Sequence, residues 1–121
     1  MKKRVLVIED NELNMKLVRS LLKLGDYEVM EAVDAESGID LLKDNGADLI
    51  LMDVQLPGMD GLEATRVIKN DPKHTKTPIV ALTSYAMQGD DRKATEAGCI
   101  GYITKPLDTR GFLETLDGYL K

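Results

Sequence analysis

Residues 49 to 61, LILMDVQLPGMDG, place four apolar residues directly before an aspartate, and a loop with one proline and two glycines follows. A short apolar run without polar alternation is typical of a strand that is covered on both faces, as in a parallel sheet. Asp53 then stands where this run ends. The stretch therefore predicts a buried strand that presents a carboxylate at its carboxyl end.

Other segments of the chain repeat this strand pattern and alternate with helical patterns. We predict strands at residues 5–8, 27–32, 49–52, 79–82 and 102–103, and helices at residues 13–24, 34–45, 62–69, 87–97 and 112–120. Helical connections between successive strands imply a parallel sheet. The sequence therefore predicts an α/β fold in which a doubly wound, five-stranded parallel sheet is covered by five helices, in one domain spanning residues 1–121.

Local signals refine the helices. Leu13, Leu17, Leu21 and Leu24, with Val18 and Leu22 beside them, recur at helical spacing, which predicts an apolar stripe on the first helix, and a glycine follows as its stop. Asp34 is placed to cap the second helix. The helix over 87–97 has few large apolar residues, so we expect it to be the most mobile element.

Charge and composition limit the classes of partner. Lys and Arg total 16 against 21 Asp and Glu, a net charge of −5, which argues against an electrostatic hold on nucleic acid. No apolar stretch approaches the length of a membrane span. A lone Cys99 fits a reducing compartment. We therefore expect a cytoplasmic protein without nucleic acid or membrane partners.

Polar residues follow the predicted strands at their carboxyl ends, where open parallel sheets bind ligands. They are Glu9, Asp10, Asp53, Thr83, Thr104 and Lys105. Three neighbouring carboxylates would repel one another by on the order of 4 kcal/mol per pair, so positive charge must lie among them. Lys105 offers one charge, and an all-oxygen donor set suits Mg²⁺. A carboxylate, a hydroxyl, a lysine and Mg²⁺ are what phosphoryl transfer to aspartate requires, so the sequence predicts a phosphate site.

The same motifs resemble those of bacterial two-component receiver domains. The resemblance covers essentially all 121 residues and rests on five separated motifs: Glu9-Asp10-Asn11, Met52-Asp53, Leu56-Pro57-Gly58-Met59-Asp60-Gly61, Leu82-Thr83 and Lys105-Pro106. It implies the fold of the chemotaxis receivers, with sheet order 2-1-3-4-5. Within the family, the chain is most similar to receivers of hybrid kinases and to stand-alone regulators of cell division and development.

The resemblance implies that Asp53 accepts a phosphoryl group from a histidine kinase or a histidine phosphotransfer protein. Asp10, Asp53 and the backbone carbonyl of Gln55 would bind Mg²⁺, and Glu9 would reach it through water. Thr83 and Lys105 would contact the phosphoryl oxygens.

Further implied roles concern switching. Tyr102 would follow the movement of Thr83 and thereby change the surface of the fourth helix, fifth strand and fifth helix. The Lys105-Pro106 bond would be cis, which is accessible because the trans preference before proline is only about 0.5–1 kcal/mol. Gln55 and Tyr85 stand at the positions that tune hydrolysis of the aspartyl phosphate, so its lifetime is not fixed by the sequence.

Because the sequence ends at Lys121, we expect a phosphorylation-dependent switch that acts through a downstream partner protein. We expect a monomer, and leave dimerisation on phosphorylation open. One alternative is a phosphotransfer intermediate that passes the group onward. A Mg²⁺-dependent phosphohydrolase is disfavoured because Gln55, not a second aspartate, stands two residues after Asp53. A flavin-binding domain is disfavoured because the loop after the first strand is acidic.

The remaining polar and aromatic residues have structural interpretations. We expect Tyr102 to be a core aromatic, Cys99 a small buried hydrophobe, and His74 a solvated loop residue. Gly58 and Gly61 are interpreted as turn residues that need no ligand.

Overall fold

Five parallel strands form one sheet in the computed structural model, in the order β2-β1-β3-β4-β5. The structure describes residues 2–83, 90–104 and 109–120. The strands are β1 (Arg4–Ile8), β2 (Glu28–Ala32), β3 (Leu49–Asp53), β4 (Ile79–Thr83) and β5 (Gly101–Thr104). The helices are α1 (Glu12–Leu24), α2 (Ala35–Asn45), α3 (Gly61–Asn70), α4 (Asp90–Ala97) and α5 (Phe112–Leu120). The predicted fold class and sheet order are confirmed, while residues 87–89 of the predicted fourth helix lie outside the described ranges.

Side-chain caps begin the first three helices. Asn11, Asp34 and Asp60 each accept a hydrogen bond from the backbone N–H three residues later, at 2.8 to 3.0 Å. Such a cap contributes about 1 kcal/mol because it satisfies an N–H that lacks an intrahelical partner. The predicted cap at Asp34 is confirmed, and its hydrogen bonds with Ser37 lower the pKa of the Asp34 carboxyl. Within the described ranges, no helix is long and apolar enough to cross a membrane.

The sheet separates two apolar cores, because successive strand residues point to opposite faces. Helices α1 and α5 cover one face, and α2, α3 and α4 cover the other. The α1 side contains Val5, Val7, Met15, Val18, Leu22, Leu49, Leu51, Val80, Leu82, Phe112 and Leu116. The α3 side contains Leu6, Ile8, Leu42, Ile50, Met52, Ala64, Ile68, Ile79, Ala81 and Ala94. β1, β3 and β4 are thus covered on both faces, as their unbroken apolar runs predict, whereas the edge strands β2 and β5 are only partly buried.

The predicted helix α1 is confirmed, and Val18, Leu21 and Leu22 of its predicted apolar pattern are buried, but the prediction is wrong for three other leucines. Leu13 and Leu24 are both 78% exposed, and Leu17 is also exposed. The buried residues of this helix are Met15, Val18, Leu21 and Leu22. Apolar residues extend over two neighbouring faces of this helix, and only packing against the sheet decides which of them are buried. An apolar stripe of Leu13, Leu17 and Leu24 therefore lies on the outer surface.

Two further predictions concern His74, in the turn after α3, and Cys99, between α4 and β5. His74 is buried at 9% exposure, so the expected solvated histidine is wrong. The turn after α3 folds back on itself, with hydrogen bonds from His74 N to the Asp71 carbonyl and from Thr77 N to the His74 carbonyl. The prediction for Cys99 is confirmed, because this residue is buried at 5% exposure.

Candidate functional site

The carboxyl edge of the sheet brings three carboxylates together. One ligand oxygen from each of Glu9, Asp10 and Asp53 lies within 4.8 Å of the other two. The register explains this arrangement, because Ile8 of β1 pairs with Met52 of β3, so Glu9 and Asp53 follow at neighbouring positions. Glu9 and Asp53 are almost fully buried, whereas Asp10 is exposed. The site therefore has a buried acidic base and an open rim.

Backbone contacts fix the position of Asp53 at the end of β3. Its Oδ1 accepts a hydrogen bond from the backbone N–H of Gln55 at 3.0 Å. The next residue, Val54, donates its N–H to the Leu82 carbonyl at 3.0 Å and so extends the β3–β4 ladder past the carboxylate. Thr83 ends β4, one residue beyond the Leu82 that pairs with Asp53, and is 7% exposed. A hydroxyl and a carboxylate thus end adjacent strands at the same edge.

Gly61 begins α3 directly against the end of β3. A Cβ at this position would lie 2.1 Å from the Asp53 carbonyl oxygen, far inside ordinary contact. Gly61 also donates its N–H to the Val54 carbonyl at 3.1 Å. The prediction that Gly58 serves turn geometry is confirmed by its φ of 72°. The same interpretation of Gly61 is corrected, because this glycine permits a close backbone approach within a helix.

Thr65 supports this approach from the interior of α3. It is fully buried, and its hydroxyl donates to the Gly61 carbonyl at 2.8 Å. The same oxygen lies 3.8 Å from the Cys99 Sγ, at the entrance to β5. No sequence signal marked this threonine, since one polar residue in an amphipathic helix is ordinary.

The other predicted site residues are either exposed or lie outside the residues that the structure describes. Tyr102 is 42% exposed, so the expected core aromatic is wrong, and the reason is that β5 is an edge strand with one open side. Gln55 is exposed. Lys105, Pro106 and Tyr85 lie outside the described residues, so their roles stay predictions.

The donor set fits a hard divalent cation. Carboxylates offer the oxygen ligands that Mg²⁺ and Ca²⁺ prefer, and Mg²⁺ characteristically uses one or two protein carboxylates while keeping several waters. The open rim at Asp10 leaves room for such waters and for phosphate oxygens. A cation would also offset the mutual repulsion of the three acids.

Comparison with known proteins identifies the family. The family model described as the response regulator receiver domain matches residues 5–117. The chain belongs to the response regulator receiver domain family. It is 42% identical over 120 residues to the polar-differentiation response regulator DivK of Brucella anthropi, covering 99% of this chain and 98% of that protein.

Solved structures agree with this assignment. The chain is similar to the receiver domain of sensor histidine kinase PA1611 from Pseudomonas aeruginosa, solved with a magnesium ion in the active site cleft, at 31% identity and a TM-score of 0.91. That match covers 99% of this chain and 98% of the other. The Vibrio cholerae chemotaxis protein CheY4 gives 25% identity and a TM-score of 0.92, with 98% of each chain covered.

Several predictions are thereby confirmed. The chain is a DivK-like receiver domain of two-component signalling and not a conventional enzyme. Membership implies signalling by phosphorylation and a histidine kinase as partner. The acidic cluster is typical of a receiver magnesium site, as in the PA1611 receiver. Neither the phosphohydrolase nor the flavin-binding alternative has support from these matches.

Proposed function

We propose that Asp53 is the phosphoacceptor of a signalling switch in a two-component phosphorelay. The observation that carries this proposal is the cluster of Glu9, Asp10 and Asp53 at the carboxyl edge, with Asp53 held by the backbone N–H of Gln55. A fixed carboxylate in a site suited to a divalent cation can attack a phosphoryl group in line. A sensor histidine kinase or a histidine phosphotransfer protein would supply that group.

In the proposed transfer, an Asp53 carboxylate oxygen forms a bond to phosphorus while the phosphorus–nitrogen bond of the donor phosphohistidine breaks. The electron pair of that bond stays on the imidazole nitrogen. Asp10, Asp53 and the Gln55 carbonyl would hold Mg²⁺, with Glu9 acting through water, and the cation would neutralise charge on the phosphoryl oxygens. Thr83 and Lys105 would donate hydrogen bonds to those oxygens.

The proposed response is a population shift at the β4–β5 edge. The Thr83 hydroxyl would move towards the aspartyl phosphate, and Tyr102 would turn inward from its present exposed position. The face formed by α4, β5 and α5 would then bind a downstream partner protein with a different affinity. The support is the position of Thr83 at the end of β4 and the strand pairing of Tyr102 with Ala81, two residues before it.

The exposed face of α1 supports docking of a helical phosphodonor. Leu13, Leu17 and Leu24 lie within about 40° of one another around the helix axis. Their stripe begins three residues after Asp10, a member of the acidic cluster. An apolar helix face beside a reactive group suits a partner that lays a helix along it.

The lone cysteine and the DivK-like family support the proposal that this encounter occurs in the cytoplasm, with residues 1–121 acting as one receiver domain.

Intact mass after incubation with phosphoramidate, with and without Mg²⁺, tests the assignment. We expect the wild type to gain one phosphoryl group only when Mg²⁺ is present. Asp53→Asn should gain none, because its amide cannot act as the nucleophile. The matched control is Asp40→Asn on α2, an exposed carboxylate that is not a member of the cluster, which should behave as wild type. Phosphorylation of Asp53→Asn, or none in a folded wild type, would contradict the proposal.

A further inference from the structure

A groove opens beside the acidic site on the side of the edge strand β2. It has a volume of about 360 Å³ and is lined by Asp10, Glu12, Met15, Arg19, Glu31 and Val33, together with Glu9 of the site itself. This volume is at the small end of ligand sites, which run from about 300 to 1,000 Å³. We call this feature the acidic groove. It is large enough for one long side chain rather than for a cofactor.

The acidic groove has an apolar interior and a charged rim. Met15 is buried at 5% exposure and lies on the inner face of α1, whereas Val33 exposes 62% of its surface just after β2. Glu12, Met15 and Arg19 follow one another at helical spacing, so one face of α1 forms the groove wall. An exposed valine beside a buried methionine offers apolar surface to a hydrocarbon stem.

The charges of the acidic groove favour a cation. Arg19 supplies the positive charge of the lining, but it is already paired, since its Nε and Nη2 donate to the two Glu31 oxygens at 2.8 and 2.7 Å. This ion pair raises the pKa of the Arg19 guanidinium, and the charge of Glu12 adds to the effect. Among the described residues, Glu12 has no ion pair within 4.0 Å. A cation that enters the groove would therefore meet the Glu12 carboxylate.

We propose that the acidic groove receives a lysine or arginine side chain of the phosphodonor protein. The hydrocarbon stem would cover Val33 and Met15, and the cationic head would pair with Glu12. The inference rests on the proposed function, because the donor must dock at the adjoining site to reach Asp53.

An NMR titration of the ¹⁵N-labelled protein at saturating Mg²⁺ tests the groove itself. The probe is n-butylguanidinium, and n-butylurea is the neutral control with the same stem. We expect butylguanidinium to shift the amides of Glu12, Met15 and Val33 and to bind about twofold to fivefold more tightly than the urea, the ratio expected for an exposed ion pair. Equal affinities, or shifts confined to other parts of the chain, would overturn the proposal.

Two substitutions of the Arg19–Glu31 pair have opposite expected effects. Arg19→Gln leaves Glu31 without its partner, so the groove becomes more negative and should bind butylguanidinium more tightly. Glu31→Gln leaves the Arg19 guanidinium uncompensated, so binding should weaken. Shifts of the same sign in both variants would contradict the electrostatic argument, and circular dichroism checks that both variants fold.

A kinetic measurement then tests the protein partner. With a histidine kinase selected because it phosphorylates the wild type, Glu12→Gln should raise the KM for this chain about twofold to fivefold. Its rate of phosphorylation by phosphoramidate should stay at the wild-type value, so a failure of the groove is distinguishable from a failure of the acceptor site. An unchanged KM, with butylguanidinium displaced by spermidine, would assign the groove to free small cations and overturn the proposal.

Discussion

Substitution of Gly61 by alanine should damage the acceptor site and the stability of the fold together, although it adds a single methyl group. The new Cβ would lie 2.1 Å from the Asp53 carbonyl oxygen and 2.9 Å from both the Asp53 carbonyl carbon and the Val54 Cα. All three are main-chain atoms, so rotation of a side chain cannot relieve the contact. Either the start of α3 or the end of β3 must move.

The size of the effect follows from these distances. Ordinary contact begins at 3.4 Å, so the gap at the carbonyl oxygen must widen by about 1.3 Å. Overpacking of this kind costs about 1–3 kcal/mol, and the better helix propensity of alanine offsets at most about 1 kcal/mol. We expect a net loss of about 1–2 kcal/mol. A reacting group displaced by 1 Å loses about a hundredfold in rate, and since the movement divides between α3 and β3, we expect phosphorylation to slow by about tenfold.

Urea unfolding and the initial rate of phosphorylation by phosphoramidate measure the two effects. Gly118→Ala is the matched control, because Gly118 lies within α5 with nothing inside 4 Å of its added methyl group. This control should gain up to about 1 kcal/mol in the free energy of unfolding and keep the wild-type rate. Wild-type stability and rate in Gly61→Ala would refute the argument that the close approach of α3 positions Asp53.

Two further predictions concern buried groups away from the acceptor site. Tyr27 is buried and donates its hydroxyl to the Asp117 carboxylate of α5, so Tyr27→Phe should lower the free energy of unfolding by about 1–2 kcal/mol in urea melts at neutral pH. Burial and Asp117 raise the pKa of Tyr27 from 10.0 to about 12. This contribution is complete below pH 10 and is lost as pH rises through 12, so the difference between wild type and variant should shrink over that range; a constant difference would contradict the assignment. Burial also raises the pKa of the Cys99 thiol, so Ellman's reagent should react with the native protein at least about a hundredfold more slowly than in urea, and comparable rates would show that the thiol is accessible.

The sequence predicted the elements well because two kinds of signal agree along this chain. Unbroken apolar runs such as Leu49 to Met52 mark strands that are covered on both faces, and residues such as Asp34 and Gly25 mark the helix ends. The gathering of the three acids follows from topology, because the carboxyl ends of neighbouring parallel strands meet at one edge. Their proximity therefore needs no knowledge of side-chain packing.

The errors fall where three-dimensional packing decides between equal local signals. α1 carries apolar residues on two faces, and contact with the sheet selects Met15 and Val18 over Leu13. Tyr102 is exposed because β5 ends the sheet, a fact about strand order rather than about the residue. His74 is buried by a turn whose neighbours in sequence are polar, and Gly61 is needed because of β3, which lies outside its own helix.

The outward position of Tyr102 has an optical consequence. The chain has four tyrosines and no tryptophan, so its near-ultraviolet emission is weak and has no indole component. A tryptophan introduced at position 102 would be the sole indole fluorophore, and on this exposed edge it would emit at the long wavelengths of a water-facing ring. Inward rotation would move that emission to shorter wavelengths. Because the rest of the protein emits only weakly, a stopped-flow fluorimeter could time the motion of this one side chain.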